Sequence, residues 1–154
     1  MSENEYKVII LGTTFVGKTC LVKRFVYNIF DENGQPTYAY SNFKKKLTID
    51  NTEITFNIWD TAGQEKYNSM VPLYYNGASA AILVFECNKV DTLEELTNWK
   101  DTIVKKLNDL PVFIVASKCD LSNEETIKNN LERARGKFND IDENNFFPTS
   151  ARVG

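Results

Sequence analysis

Apolar residues along this chain fall into short unbroken runs that alternate with periodic ones. Tyr6–Leu11, Ala80–Cys87 and Pro111–Ser117 are mostly apolar and predict buried strands. Phe43–Asp50 and Thr52–Asp60 predict two further strands, joined tightly at Asp50-Asn51 as a hairpin. Phe146–Thr149 predicts a short last strand. Between these runs the spacing turns helical. Leu21, Val22, Phe25, Val26 and Ile29 mark one helix. Leu93, Leu96, Ile103 and Leu107 mark a second, beginning near Asp91-Thr92, and Ile127, Leu131, Ala134 and Phe138 mark a third. Asp31–Thr37 and the stretch DTAGQEKYNSM are polar and loop-like. Strands alternating with helices after one early hairpin predict an α/β domain: six strands, mostly parallel, with helices on both faces.

In such sheets ligands sit beyond the carboxyl ends of the strands. Three motifs fall there. Gly12–Thr19 reads GTTFVGKT, the G-x-x-x-x-G-K-T spacing of a phosphate loop. Its backbone N–H groups, from Thr14 through Phe15, Val16, Gly17 and Lys18 to Thr19 and Cys20, can meet phosphate oxygens, helped by the helix N-terminus that follows. Lys18 can bridge the terminal phosphates, and the Thr19 hydroxyl can ligate Mg²⁺. The second motif is WDTAGQE, Trp59–Glu65. Asp60 at a strand end can hold Mg²⁺, Gly63 can offer its N–H to a terminal phosphate, and Gln64 can orient a water. The third is SKCD, Ser117–Asp120. The Asp120 carboxylate can accept from the N1–H and N2–H₂ edge of guanine, which adenine lacks, and the Lys118 stem can lie over the flat base. Ser150-Ala151-Arg152 after the last strand can present a backbone N–H to the base oxygen.

Composition narrows the chemistry. The 154 residues suffice for one domain, read as 1–154, without repeats or a low-complexity linker. A net charge of −3 gives nothing that favours nucleic acid or an anionic membrane. The one dense basic patch, Lys44-Lys45-Lys46, reads as a solvated strand edge. There is no histidine, so no step can use one as base or ligand. Three distant cysteines argue against a disulfide framework or a zinc site. No apolar run is long enough to span a bilayer.

Taken together, GTTFVGKT, WDTAGQEKY, LYYNGASAAILVF, the helix beginning DTLEELTNW, SKCD and TSAR resemble, in order, a small GTPase of the Ras superfamily, most closely the Rab family. The match runs from about Tyr6 to Arg152. The resemblance implies a P-loop NTPase G-domain that binds GTP or GDP with Mg²⁺ held by Thr19, Thr37 and Asp60. Phe30 matches the aromatic that packs on guanine, and Thr37, seven residues later, matches the metal-sensing threonine. It implies a slow GTPase, with Gln64 placing the water and Lys18 offsetting phosphoryl charge. The implied partners are an exchange factor, a GTPase-activating protein and effectors in vesicle trafficking, the last meeting an aromatic trio matched by Phe43, Trp59 and Tyr74. A cytoplasmic monomer is expected, reaching endomembranes only through a C-terminal tail that this chain lacks. The family pattern continues beyond TSAR with a closing helix, so the expectation is a truncated chain or one segment of a longer one, with one sheet face bared.

Three departures bear on activity, beside the placing of the arginines. Phe15 stands where the family usually has glycine: either its backbone is strained, or its ring lies over the cleft or against a switch loop. Ser117 replaces the asparagine that ties the guanine motif to the phosphate loop, with one bond expected to be lost. PTYAYSNF replaces TIGxDF, read as one extra residue between Thr37 and Phe43, hence a β-bulge or a reversal of faces, with Tyr38 and Tyr40 as surface aromatics. No arginine stands in an obvious position to act in cis. Phe15, Ser117 and the altered stretch after Thr37 favour a rival reading, a guanine-nucleotide-binding scaffold with negligible turnover, whereas Gln64, Thr37 and Asp60 oppose it. An ATP-using enzyme is disfavoured by SKCD and TSAR.

Overall fold

The computed structural model describes residues 4–35, 37, 40–63, 71–106 and 109–154. Gln64, Tyr38 and Leu107 lie outside them. Six strands form one sheet: β1 (Glu5–Leu11), β2 (Tyr40–Ile49), β3 (Thr52–Thr61), β4 (Ala80–Glu86), β5 (Val112–Ser117) and β6 (Phe146–Pro148). Their spatial order is β2-β3-β1-β4-β5-β6, and only the β2–β3 pair is antiparallel. Helices α1 (Lys18–Tyr27), α2 (Val71–Tyr75), α3 (Val90–Lys106) and α4 (Glu124–Lys137) complete the fold.

Alternation along the strands sorts the core onto two faces. Ile9, Leu11, Leu83, Phe85, Ile114 and Ala116 meet Leu93, Leu96 and Ile103 of α3 and Leu131 and Ala134 of α4. On the opposite face, Ile10, Ile58, Val84 and Val115 meet Val16 and Val22, beneath α1. Phe113 and Phe147 pair on that second face, where Tyr6 and Phe147 are exposed. The α/β architecture with helices on both faces is therefore as expected.

The hairpin turns on Asp50 and Asn51, both at positive φ (48° and 63°), with Ile49 paired to Thr52. Short polar side chains tolerate this two-residue turn, whose twist matches that of the flanking strands. Helix α1 stops sooner than its periodicity suggests. Asn28 takes a left-handed conformation and its N–H closes on the Arg24 carbonyl, so Ile29 lies outside the helix and exposed. Asn123 caps α4 by accepting from Thr126 N–H at 2.8 Å.

The register of β2 corrects the reading of the first switch. Pairing runs without a bulge from Tyr40↔Thr61 to Ile49↔Thr52, and it sets Asn42, not Phe43, opposite Trp59. Asn42 is five residues past Thr37, the spacing of the aromatic in TIGxDF, so no residue is inserted. A one-residue offset in a strand moves a side chain to the other face. Phe43 accordingly packs toward α1, its ring 6.1 Å from that of Tyr27. The aromatic cluster on the other face is Tyr40, Trp59 and Tyr74: Tyr40 stacks on Trp59 at 5.0 Å and meets Tyr74 edge-on at 5.5 Å.

Candidate nucleotide site

The phosphate loop connects β1 to α1 through three residues at positive φ: Gly12 (148°), Phe15 (69°) and Gly17 (99°). Gly12 has no alternative. A Cβ there would lie 2.3 Å from the Val84 carbonyl oxygen of the neighbouring strand. Phe15 has no such freedom. An L side chain in the left-handed region costs about 1–2 kcal/mol relative to glycine, and its ring, 69% exposed, recovers little by burial. Phe15→Gly should therefore stabilise the nucleotide-free protein by about 1 kcal/mol. Urea unfolding checks it; an unchanged midpoint would show that the ring offsets the strain by packing.

Lys18 is buried, and its ammonium donates to the Gly12 and Thr13 carbonyls at 2.8 and 2.9 Å. Burial pulls its pKa down to about 8, partly countered by the Asp60 carboxylate. At the end of β3, Asp60 is fully buried. Its Oδ2 accepts from Thr19 Oγ1 at 2.5 Å and from Thr37 Oγ1 at 3.4 Å, and the two hydroxyl oxygens are 2.7 Å apart. Its Oδ1 is buried with no hydrogen-bond partner among the described residues. Burial raises the Asp60 pKa, against the opposing pull of Thr19 and Lys18. One carboxylate and two hydroxyls converging beside a lysine fit Mg²⁺, a hard cation that takes few protein oxygens and completes its shell with water and phosphate. Among the described residues no group of three His, Cys, Asp or Glu side chains offers a rival site. Gly63 lies directly on the phosphate loop, where a Cβ would come within 2.2 Å of Thr14 N and 2.4 Å of the Thr13 carbonyl carbon.

At the other end, β5 delivers Ser117. Its hydroxyl lies 2.5 Å from the Val16 carbonyl oxygen and 3.0 Å from that of Phe85. Serine thus keeps the tie to the phosphate loop that was expected to weaken, because β5 carries its Oγ close enough to need no longer side chain. One O–H shared between two buried carbonyls leaves both poorly served if it is removed. Ser117→Ala should cost about 1–2 kcal/mol of stability in chemical denaturation; a cost under about 0.3 kcal/mol would mean that water substitutes. Lys118, at φ 56°, donates to the Phe15 carbonyl at 2.7 Å and to the buried Glu86 at 3.0 Å. Asp120 Oδ1 accepts from Ser150 Oγ at 2.7 Å.

Most of these residues border one cavity of about 260 Å³, whereas Gly12, Asp60 and Glu86 are not on its wall. Thr14, Phe15, Gly17, Lys18, Thr19 and Cys20 line its phosphate end. Phe30, Ser117, Lys118, Asp120, Ala151 and Arg152 line the other, with Thr37 and Gly63 also on the wall. The Val16 side chain instead points into the core, leaving only its backbone to contribute. Ser150 is not on the cavity wall and meets it only through its bond to Asp120. Sequence reasoning missed Glu86, whose place at the carboxyl end of β4 was a usable signal. It also missed Glu95, which accepts from Thr13 Oγ1 across 82 residues with no local signal at all.

A model of the Ras family matches residues 7–154. Human Ras-related protein Rab-22A is 38% identical across 99% of this chain and 77% of its own length. Mouse Ras-related protein Rab-31 is 41% identical across 80% and 64%. GTP-binding protein YPT52 of Saccharomyces cerevisiae is 38% identical across 78% and 56%, so the match spans little more than half of that relative. The chain belongs to the Ras family, and within it to the Rab-like small GTPases.

Proposed function

We propose that this chain is a Mg²⁺-dependent guanine-nucleotide switch that hydrolyses GTP slowly and serves vesicle trafficking. The observation that carries the reading is the meeting of Thr19, Thr37 and Asp60 oxygens beside the buried Lys18, with Asp60 Oδ1 left without a partner. Bound Mg²⁺ would neutralise charge on the β- and γ-phosphates. Lys18 would turn its ammonium from the loop carbonyls to those phosphates. Thr37 and Gly63 would close on the terminal phosphate, coupling the segments on either side of β2 and β3 to the state of the nucleotide. Asp120 would select guanine, held in place by Ser150.

Gln64 would position the attacking water. The four arginines, Arg24, Arg133, Arg135 and Arg152, stand at the base end or on α4. Rapid turnover would therefore take an arginine from an activating partner. The scaffold reading loses one of its supports, since Ser117 keeps its bond to the phosphate loop. Single-turnover phosphate release tests the enzyme. Unaided hydrolysis on the order of 10⁻⁴ s⁻¹ is expected, with Gln64→Leu at least about tenfold slower. Equal rates, both at background, would remove the enzyme and leave the scaffold.

Effectors would meet the Tyr40, Trp59 and Tyr74 rings, with Asn42 where related chains carry an aromatic. That change in surface separates this chain's effectors from those of its relatives. No helix among the described residues is long and apolar enough to cross a membrane. Attachment to an endomembrane would be peripheral.

A further inference from the structure

Arg24 lies in the last turn of α1, outside every motif that marks the site. Its guanidinium nevertheless reaches two separate segments at the base end. Nε donates to the Ala151 carbonyl at 2.6 Å and Nη2 to the Arg152 carbonyl at 3.0 Å. Nη1 faces Asn28, donating to Oδ1 at 3.1 Å and to the carbonyl at 3.4 Å. Asn28 is the left-handed cap that turns the chain out of α1, and Phe30 on the cavity wall is two residues beyond it. One planar fork thus ties the segment carrying Phe30 to the segment carrying Ala151, 127 residues away from Arg24.

The turn at 150–154 is also held at Ser150, whose Oγ donates to Asp120 at 2.7 Å and accepts from Val153 N–H at 3.1 Å. Glu32 and Arg152 form an ion pair at 2.5 Å, but both side chains are more than half exposed, and such pairs hold weakly. The Ser150 carbonyl accepts from Gly154 N–H inside the turn. Because the Ser150–Ala151 peptide is planar and trans, the Ala151 N–H points the opposite way, out of the turn. Arg24 holds the next two carbonyls, those of Ala151 and Arg152, and so ties the turn that bears this N–H to the end of α1.

We infer that Arg24 is the positioning residue of the base pocket, aiming the Ala151 N–H at the 6-carbonyl of the bound purine. The inference rests on the guanine-nucleotide reading above. Lysine could not replace it, since a single ammonium does not span two carbonyls and the Asn28 cap together.

The test measures affinities of wild type, Arg24→Gln and Arg24→Lys for three diphosphates with Mg²⁺: GDP, inosine diphosphate and 6-thioguanosine diphosphate. Inosine removes the 2-amino group read by Asp120. The 6-thio compound replaces the 6-oxygen with a weak acceptor and keeps the Asp120 edge. Wild type should bind 6-thio-GDP about tenfold more weakly than GDP. In both variants that ratio should fall to about twofold, while the ratio of GDP to inosine diphosphate stays as in wild type. Variants that bind all three ligands more weakly by one common factor would overturn the assignment and leave Arg24 a generic structural residue. Two variants unfolded at 25 °C would overturn it in the same sense. A wild type that binds none of the three would instead defeat the guanine reading itself.

Discussion

Replacing Lys18 with methionine should lower the affinity for GDP–Mg²⁺ about 10- to 100-fold, since a charge-assisted bond to the β-phosphate is lost. The same change should also flatten one limb of the stability–pH profile of the nucleotide-free protein. Lys18 sits with its pKa pulled down to about 8 by burial, against an ordinary value of 10.5. Below pH 8 it is charged in both folded and unfolded chains, and the folded state bears the full desolvation penalty. Between pH 8 and 10.5 the folded chain releases the proton while the unfolded chain keeps it. Stability should therefore rise across that window, by about 3 kcal/mol at most. Nucleotide binding should show the opposite slope. An anion restores the charge on Lys18, so above pH 8 binding must take up a proton, and affinity should decline by up to about tenfold per pH unit. Urea unfolding and fluorescent-nucleotide titration from pH 7 to 10 check both slopes. If Lys18→Met keeps either slope, the titrating group is another residue.

The strands, the hairpin and the phosphate loop were legible because each follows from local chemistry: apolar runs, two residues tolerant of positive φ, and a glycine spacing. Thr19 and Asp60 were legible as metal oxygens from their own motifs, whereas Thr37 joined them only through the resemblance. Nothing in their separate surroundings says that three oxygens from three segments will meet. The failures arose where the answer depended on contact across the sheet. Counting forward from Thr37 to the nearest phenylalanine gave an inserted residue. Counting back from the turn at Asp50-Asn51 gives Asn42 opposite Trp59, with no insertion. The turn fixes register, and the first switch does not. Tyr40, placed two residues before Asn42 on the same face, could have been found that way.

Ser117 and Phe15 show the converse. Ser117 was judged by the length of its side chain, whereas a strained backbone was one of two alternatives open for Phe15; the backbone decided both. Strand β5 brings the serine oxygen within 2.5 Å of Val16, and the loop turns Phe15 into the left-handed region with its ring outward. The end of α1 belongs with these. Ile29 continues the apolar period, yet Asn28 ends the helix one step earlier and so lets Arg24 face two carbonyls that no periodicity predicts.

Replacing Gly63 with alanine should separate the two nucleotide states rather than unfold the protein. The Gly63 backbone angle is not a left-handed one, so the objection to a side chain is space alone. The added carbon would fall 2.2 Å from Thr14 N, 2.4 Å from the Thr13 carbonyl carbon and 2.7 Å from the Gly12 carbonyl oxygen. All three are backbone atoms of the phosphate loop, and Gly12 itself is held against Val84. That loop cannot yield, so the segment after β3 must stand off from it. The core on either face of the sheet is untouched, and the melting temperature should change little. What is lost is the approach of the Gly63 N–H to a terminal phosphate, a charge-assisted bond of about 1.5–3 kcal/mol. Affinity for a non-hydrolysable GTP analogue should fall about 10- to 100-fold. Affinity for GDP, which has no such phosphate, should stay within about threefold. Competition against a fluorescent nucleotide at fixed Mg²⁺ reads both. An equal loss for the two ligands would show that Gly63 props up the phosphate loop in every state. No loss for either would mean that the segment after β3 closes on the nucleotide by another contact.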